Sequence, residues 1–190
     1  MKIRFIELCL IALAPLAVSS TPAAPAQGKP GVQRAKAGPK SMKAEGDPRR
    51  LRLEGDALRY CDLRGAREIS LKTGGETASG GACPAAAGEG DTSCGGVGKA
   101  DVDVRTPPGS PDDFVDVGGV SVRVDGHVED CVRDGSLIAV AAGSSVVVID
   151  LDSGKSKTLD RDGADRVAIS KDWVAWSSGA TIKWLAIQRP

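Results

Sequence analysis

Apolar and polar positions alternate along much of this chain, and the alternation comes in units. The stretch from Leu137 through Gly143 to Leu151 reads as strand, turn, strand. The stretch from Trp173 through Gly179 to Ile187 repeats it. In that register Ile138 stands level with Val174, Gly143 with Gly179 and Val148 with Trp184. Cys131 then falls level with Val167, and Arg133 with Ile169. A fainter copy runs from Leu51 through Gly55 to Leu63. Internal repetition decides fold class before any local argument does.

The rest of the chain agrees with a sheet protein. From Leu51 to Lys72, Leu51, Leu53, Leu58, Tyr60 and Ile69 interleave with Arg52, Glu54, Arg59 and Arg67, the pattern of a half-buried antiparallel hairpin. Residues 73–98 are nearly all Gly, Ala, Ser, Thr and acid, too poor in apolar surface to offset their ordering entropy, and read as a long surface loop. A short strand is expected at Asp101–Arg105, ended by Pro107, Pro108 and Pro111. Phe114–Val124 reads as a hairpin turning at Gly118-Gly119, and Asp125-Gly126, Asp134-Gly135 and Asp162-Gly163 are tight-turn dipeptides. Helical periodicity is absent after the first residues. The expectation is an all-β antiparallel β-meander.

Ser144–Lys155 adds a signature: an apolar strand, Asp150-Leu151, a small residue at Ser153, then Gly154 and basic Lys155. It resembles the blades of β-propellers of the quinoprotein-like and TolB-like kinds. Ser156–Leu159 would be the last strand of that blade, and Val167–Trp176 resembles the opening of the next. Asp62–Arg67 repeats the signature one residue short. The resemblance implies incomplete or small β-propeller-like blades over residues 51–190. At roughly 40 residues per blade there is room for three or four, whereas closed propellers use about four or more. A small propeller, an open array and a truncated piece of a longer ancestor all fit. Open sheet edges would invite pairing with a partner or self-association.

The amino terminus reads as an export signal. Lys2 and Arg4 precede the apolar run Leu8–Ala14, and small residues allow cleavage after Ser19, or after Ala26. Residues 27–50 read as a disordered basic Pro/Gly/Ala tether. No other stretch is apolar and long enough to be a transmembrane helix, so the expected location is secreted or extracytoplasmic. With Cys9 removed, Cys61, Cys83, Cys94 and Cys131 are an even set for an oxidising compartment. The favoured pairing is Cys83–Cys94 with Cys61–Cys131. Charges balance at 25 basic and 25 acidic and aromatics are only 3%, so nothing points to nucleic acid.

Candidate chemistry is sparse. His127 is the single histidine, and no nucleophile elbow accompanies it, so no catalytic set is legible. The neighbouring acids Asp112-Asp113 and Glu129-Asp130 would point to opposite faces of a strand and cannot form a glycosidase pair by themselves. Asp160, Asp162 and Asp165 around Gly163 are the metal candidate, with calcium as the ion, since alternating carboxylates at a turn can fold inward. No other cofactor is expected. Trp173, Trp176 and Trp184 crowd the last repeat, where core packing or a carbohydrate platform could use them. The favoured function is an exported, non-enzymatic β-repeat binding or scaffold module with a protein, envelope or carbohydrate partner. The alternatives are an extracellular hydrolase using carboxylates from separate blades and a truncated propeller without independent activity.

Overall fold

The chain divides into two units, Met1–Lys36 and Ala37–Pro190. The computed structural model describes residues 38–83 and 102–187, all within the second unit. The expected signal at 1–19, its extension to 26, residues 27–37 of the tether and Cys94 lie outside the described residues.

Among the described residues every regular element is a strand, and the strands form four antiparallel sheets. The first sheet holds β2 (Arg49–Glu54), β3 (Ala57–Asp62), β4 (Gly65–Ser70) and β5 (Glu76–Ala78) in that order. The second holds β6 (Val102–Arg105), β7 (Asp113–Val117) and β8 (Val120–Val124). The third holds β9 (Val128–Asp134), β10 (Leu137–Ala142), β11 (Ser145–Asp150) and β12 (Lys155–Asp160). The fourth holds β13 (Arg166–Ile169), β14 (Trp173–Ser178) and β15 (Thr181–Ala186), and is completed by β1 (Lys40–Lys43) from the other end of the chain. This corrects part of the expected tether. Lys40–Lys43, whose single apolar residue is Met42, pairs with β15, with Met42 opposite Ile182. The backbone ladder supplies what its polar composition does not.

The hydrophobic pattern sets the stacking order. One apolar cluster joins the second and third sheets through Val115, Val117, Val124, Ile138, Val140 and Ile149. Another joins the third and fourth through Leu137, Ala139, Val148, Val167, Val174 and Trp176. A third joins the fourth and first through Leu58, Tyr60, Ile69, Ile182 and Trp184. The third sheet therefore has both faces covered. That is why β10 and β11 are buried at every position and their sequences run almost continuously apolar instead of alternating.

The two outermost faces are polar. In the second sheet Val104, Val115 and Val122 form an inward row, while Arg105, Phe114 and Arg123 form an outward one. There Arg105 lies over the Phe114 ring at 5.2 Å and pairs with Asp116 at 3.1 Å. In the first sheet Leu53, Leu58 and Ile69 face inward, while Arg52, Arg59 and Glu68 make the outward row. Arg59 bridges Glu54 and Glu68, each at 2.9 Å.

The strongest copies of the repeat keep their register. One backbone bond recurs in three sheets: Leu71 N–H to Asp56 O, Leu151 N–H to Ser136 O and Ile187 N–H to Asp172 O, each 2.9 Å. These bonds also correct the faint copy. Gly55 sits between β2 and β3, as Gly135 sits between β9 and β10, so it is not the counterpart of Gly143. Likewise Asp62–Arg67 spans the β3–β4 turn, whereas Asp150–Lys155 spans the β11–β12 turn, so the two signatures are not equivalent. Short apolar strands of similar length carry no mark of which hairpin they belong to.

The disulfide pairing is also corrected. Cys61 bonds Cys83, with Cα atoms 5.7 Å apart. The reason is β5, a three-residue strand inside the stretch expected to be loop. It pairs with β4, Ala78 opposite Arg67, and brings the following chain back past β3. Cys131 is itself disulfide-bonded. It packs between the second and third sheets, away from Cys61.

Candidate functional site

The repeat makes the third and fourth sheets near-copies, so differences between them are informative. Val148 on β11 faces the fourth sheet, and its counterpart Trp184 on β15 faces the first. Both are buried, at 3% and 2% exposure. The neighbours match as well. Lys157 lies opposite Val148 as Lys40 lies opposite Trp184. Val174 pairs with Leu185 as Leu58 pairs with Ile69. Ile187 corresponds to Leu71 by the backbone bond described above.

The side chain in the middle differs. The Trp184 indole fills the space between the fourth and first sheets, and its Nε1–H donates to Leu71 O at 3.1 Å. Valine does not reach that far. Between the third and fourth sheets a shallow apolar cleft opens to solvent, with room for about one water, lined by Val148, Lys157, Leu159, Val174, Leu185, Ala186 and Ile187. Leu159 reaches it through a bulge. Val146 pairs with Asp160 and Val147 with Thr158, so Leu159 is the extra residue of β12.

The sequence singled out other residues, and the structure places each. Asp160 and Asp162 do come together, around the Lys183 ammonium at 2.7 and 3.2 Å. Asp160 also accepts from Trp176 Nε1 at 2.9 Å and from the Asp162 backbone N–H at 3.1 Å. Burial opposes its charge, but the bonds from Lys183, Asp162 and Trp176 hold it below the usual carboxylate range. Asp165 turns away and accepts from Gly179 N–H at 2.8 Å. Among the described residues no three His, Cys, Asp or Glu side chains are grouped to hold a metal ion. Gly163 lies where the loop crosses the β10–β11 turn. A Cβ there would stand 2.2 Å from Gly143 O, and φ is +77°, so only glycine fits.

His127 is exposed, with Nδ1 3.2 Å from Asp113 Oδ1. Asp113 is buried and also accepts from Thr106 Oγ1 at 2.6 Å and Val128 N–H at 2.8 Å. Burial opposes its charge; these three bonds lower it nonetheless. Its neighbour Asp112 accepts from Gly126 N–H and Arg123 and is lowered by them in that order. Asp130 behaves differently. Burial pushes its carboxyl above the usual range although it accepts from Val167 and Cys131 N–H, both at 2.9 Å. It ties β9 to β13 across two sheets. Trp176 and Trp184 are core residues, and Trp173 is half-buried with its Nε1–H on Asp56 at 3.1 Å. Pattern reading missed the cleft itself. The signal was the Val148–Trp184 size difference at one repeat position.

No protein family and no curated protein matches the chain. Among solved structures it aligns with the computationally designed Ika8 protein at 10% identity and TM-score 0.30, over 74% of this chain and 46% of that one. It aligns with the extracellular domain of the putative one component system BT4673 from B. thetaiotaomicron at 9% identity and TM-score 0.30, over 74% and 20%. It aligns with the N-terminal domain of Nup159 at 9% identity and TM-score 0.28, over 77% and 43%. The chain spans less than half the length of each of these three.

Proposed function

We propose that this chain is an exported, non-enzymatic binding module, built of β-propeller-like blades of the quinoprotein-like and TolB-like kind. The observation that carries the reading is the shallow apolar cleft beside Val148, at a repeat position that its neighbour covers with Trp184. A core fills such a gap when stability is the only demand, because an unfilled apolar wall forgoes both burial and dispersion contacts. An apolar wall left at the surface supports contact with a partner's side chain. The Cys61–Cys83 bond supports an oxidising, extracytoplasmic setting, and no described helix is long and apolar enough to cross a membrane.

The test is a displayed random-peptide selection against the oxidised full chain, counter-screened on Val148→Trp. Ligands that bind the parent and lose at least tenfold on Val148→Trp are the expected result. If every selected ligand binds both proteins equally, or none is selected, the cleft is not a binding site.

A further inference from the structure

We propose that the edge strand β12 takes an extended acidic segment of another protein as an added strand, a proposal that rests on the binding-module reading above. The backbone comes first. β12 ends its sheet and pairs with β11 alone, so one side of its N–H and C=O groups has no ladder partner among the described residues. Three other sheet ends are crowded, because β13 packs against both β9 and β2. β12 stands clear of them, and Lys155, Ser156 and Thr158 are exposed. The bulge at Leu159 breaks the register, which leaves Lys155–Thr158 as the flat run that an incoming strand can follow.

Charge then selects the strand. Lys155 lies opposite Asp150 and Lys157 opposite Val148, so the two ammonium groups share one face of β12. Neither makes a salt bridge among the described residues. Charges at other sheet ends are engaged. Lys40 of β1 is held by the Lys72 carbonyl at 2.7 Å, Glu76 of β5 by Arg67 at 3.0 Å, Arg105 of β6 by Asp116 at 3.1 Å and Arg123 of β8 by Asp112. A strand laid along Lys155–Thr158 sets every second side chain about 4.5–5.5 Å from one of the two lysines. Carboxylates at those positions pair, and cations are repelled. Leu159 stands on the same face, so an apolar residue beside the carboxylates would rest on it at the surface. The source follows from charge as well. Another copy's β12 would bring lysine to lysine, and its Glu76 is already held by Tyr60, Arg64 and Arg67. The chain's own residues 27–50 are basic. The acidic strand therefore comes from a different protein.

The test titrates the oxidised full chain with a short acetylated, amidated peptide in which glutamate alternates with threonine, followed by amide resonances and amide exchange. The amides of Lys155–Thr158 should shift and exchange more slowly. A peptide with lysine in place of glutamate should bind at least tenfold more weakly, and Lys155→Glu with Lys157→Glu should reverse that preference. The backbone is tested on the parent chain, so no variant has to fold. Only alternate residues of an added strand bond to its neighbour. N-methylation of one alternate set of the peptide's amides should therefore abolish binding, and methylation of the other set should leave it intact. Unmoved β12 amides, indifference to charge reversal, or the same effect from both methylated sets would overturn the proposal. Ligands from the displayed selection that lose affinity on Val148→Trp but keep it on the lysine-to-glutamate double variant would sink strand addition alone and leave the binding module standing.

Discussion

At the residue scale, Asp160 shows how a group chosen for one chemistry can serve another. Its acidic neighbours suggested a calcium loop, and the structure sets an ammonium among them instead. Lys183, which it holds, is the residue next to Trp184 and points to the opposite face of β15, a relation that spacing within the Asp160–Asp165 loop could not disclose. Because bonds to the charged form lower its pKa in the fold, Asp160 adds stability above the ordinary carboxylate range. That contribution is lost as pH falls through its folded value. Asp160→Asn should therefore cost about 1–3 kcal/mol at neutral pH, the range for unmaking a charged hydrogen bond. The gap from the parent should narrow steadily as acidification carries the pH down through the folded value of Asp160. Urea unfolding across that series measures it. A gap that stays constant with pH would show that the ionic bond is not what Asp160 contributes. The tryptophans were easier to read. Trp176 and Trp184 replace Val140 and Val148 in a repeat, and equivalent positions share equivalent burial, as they do here.

At the scale of elements, what could be read from the sequence was whatever carried strong alternation or a glycine turn. The β10–β11 and β14–β15 hairpins, the β7–β8 hairpin and β6 all stand where the pattern put them. The strands that escaped were those specified by partners. β1 is basic and short, and β5 is Glu-Thr-Ala; neither has an apolar face of its own, and both exist because a neighbouring strand offers an unpaired edge. Missing β5 led directly to the wrong cysteine pairing, since that strand delivers Cys83 to Cys61. The bond spans a sequence separation of 22, and closing a loop of that size removes enough unfolded-state freedom to stabilise by about 3 kcal/mol. A Cys61→Ser, Cys83→Ser double variant should lose that much in denaturant unfolding, and β4–β5 amides should exchange faster than those of β10–β11. Equal stability would mean that the ladder alone holds β5 in place.

At the scale of the whole molecule, three apolar clusters hold four sheets in sequence, and the two end faces are finished with charge. A repeat stack needs such ends, because each unit buries one side on a neighbour and the terminal units have no neighbour left. Arg52, Arg59 and Glu68 do this on the first sheet, and Arg105, Asp116 and Arg123 on the second. Two of the edges are guarded too, one by the three-residue strand β5 and one by lysines on β12. The sequence pattern made open edges an invitation to self-association; the charged faces weigh against it, and a monomeric parent chain is the expected outcome. Individually such exposed ion pairs contribute only about 0–1 kcal/mol to folding, so their role is to keep the face wet. Arg59→Leu with Glu68→Leu should therefore leave the unfolding midpoint nearly unchanged. It would also extend the outward row of the first sheet into an apolar strip able to meet a second copy. Light scattering coupled to gel filtration should show the parent as a monomer and the double variant as a dimer or larger. If the variant instead unfolds without associating, the charged row holds the sheet together, and the polar-cap account of this molecule fails.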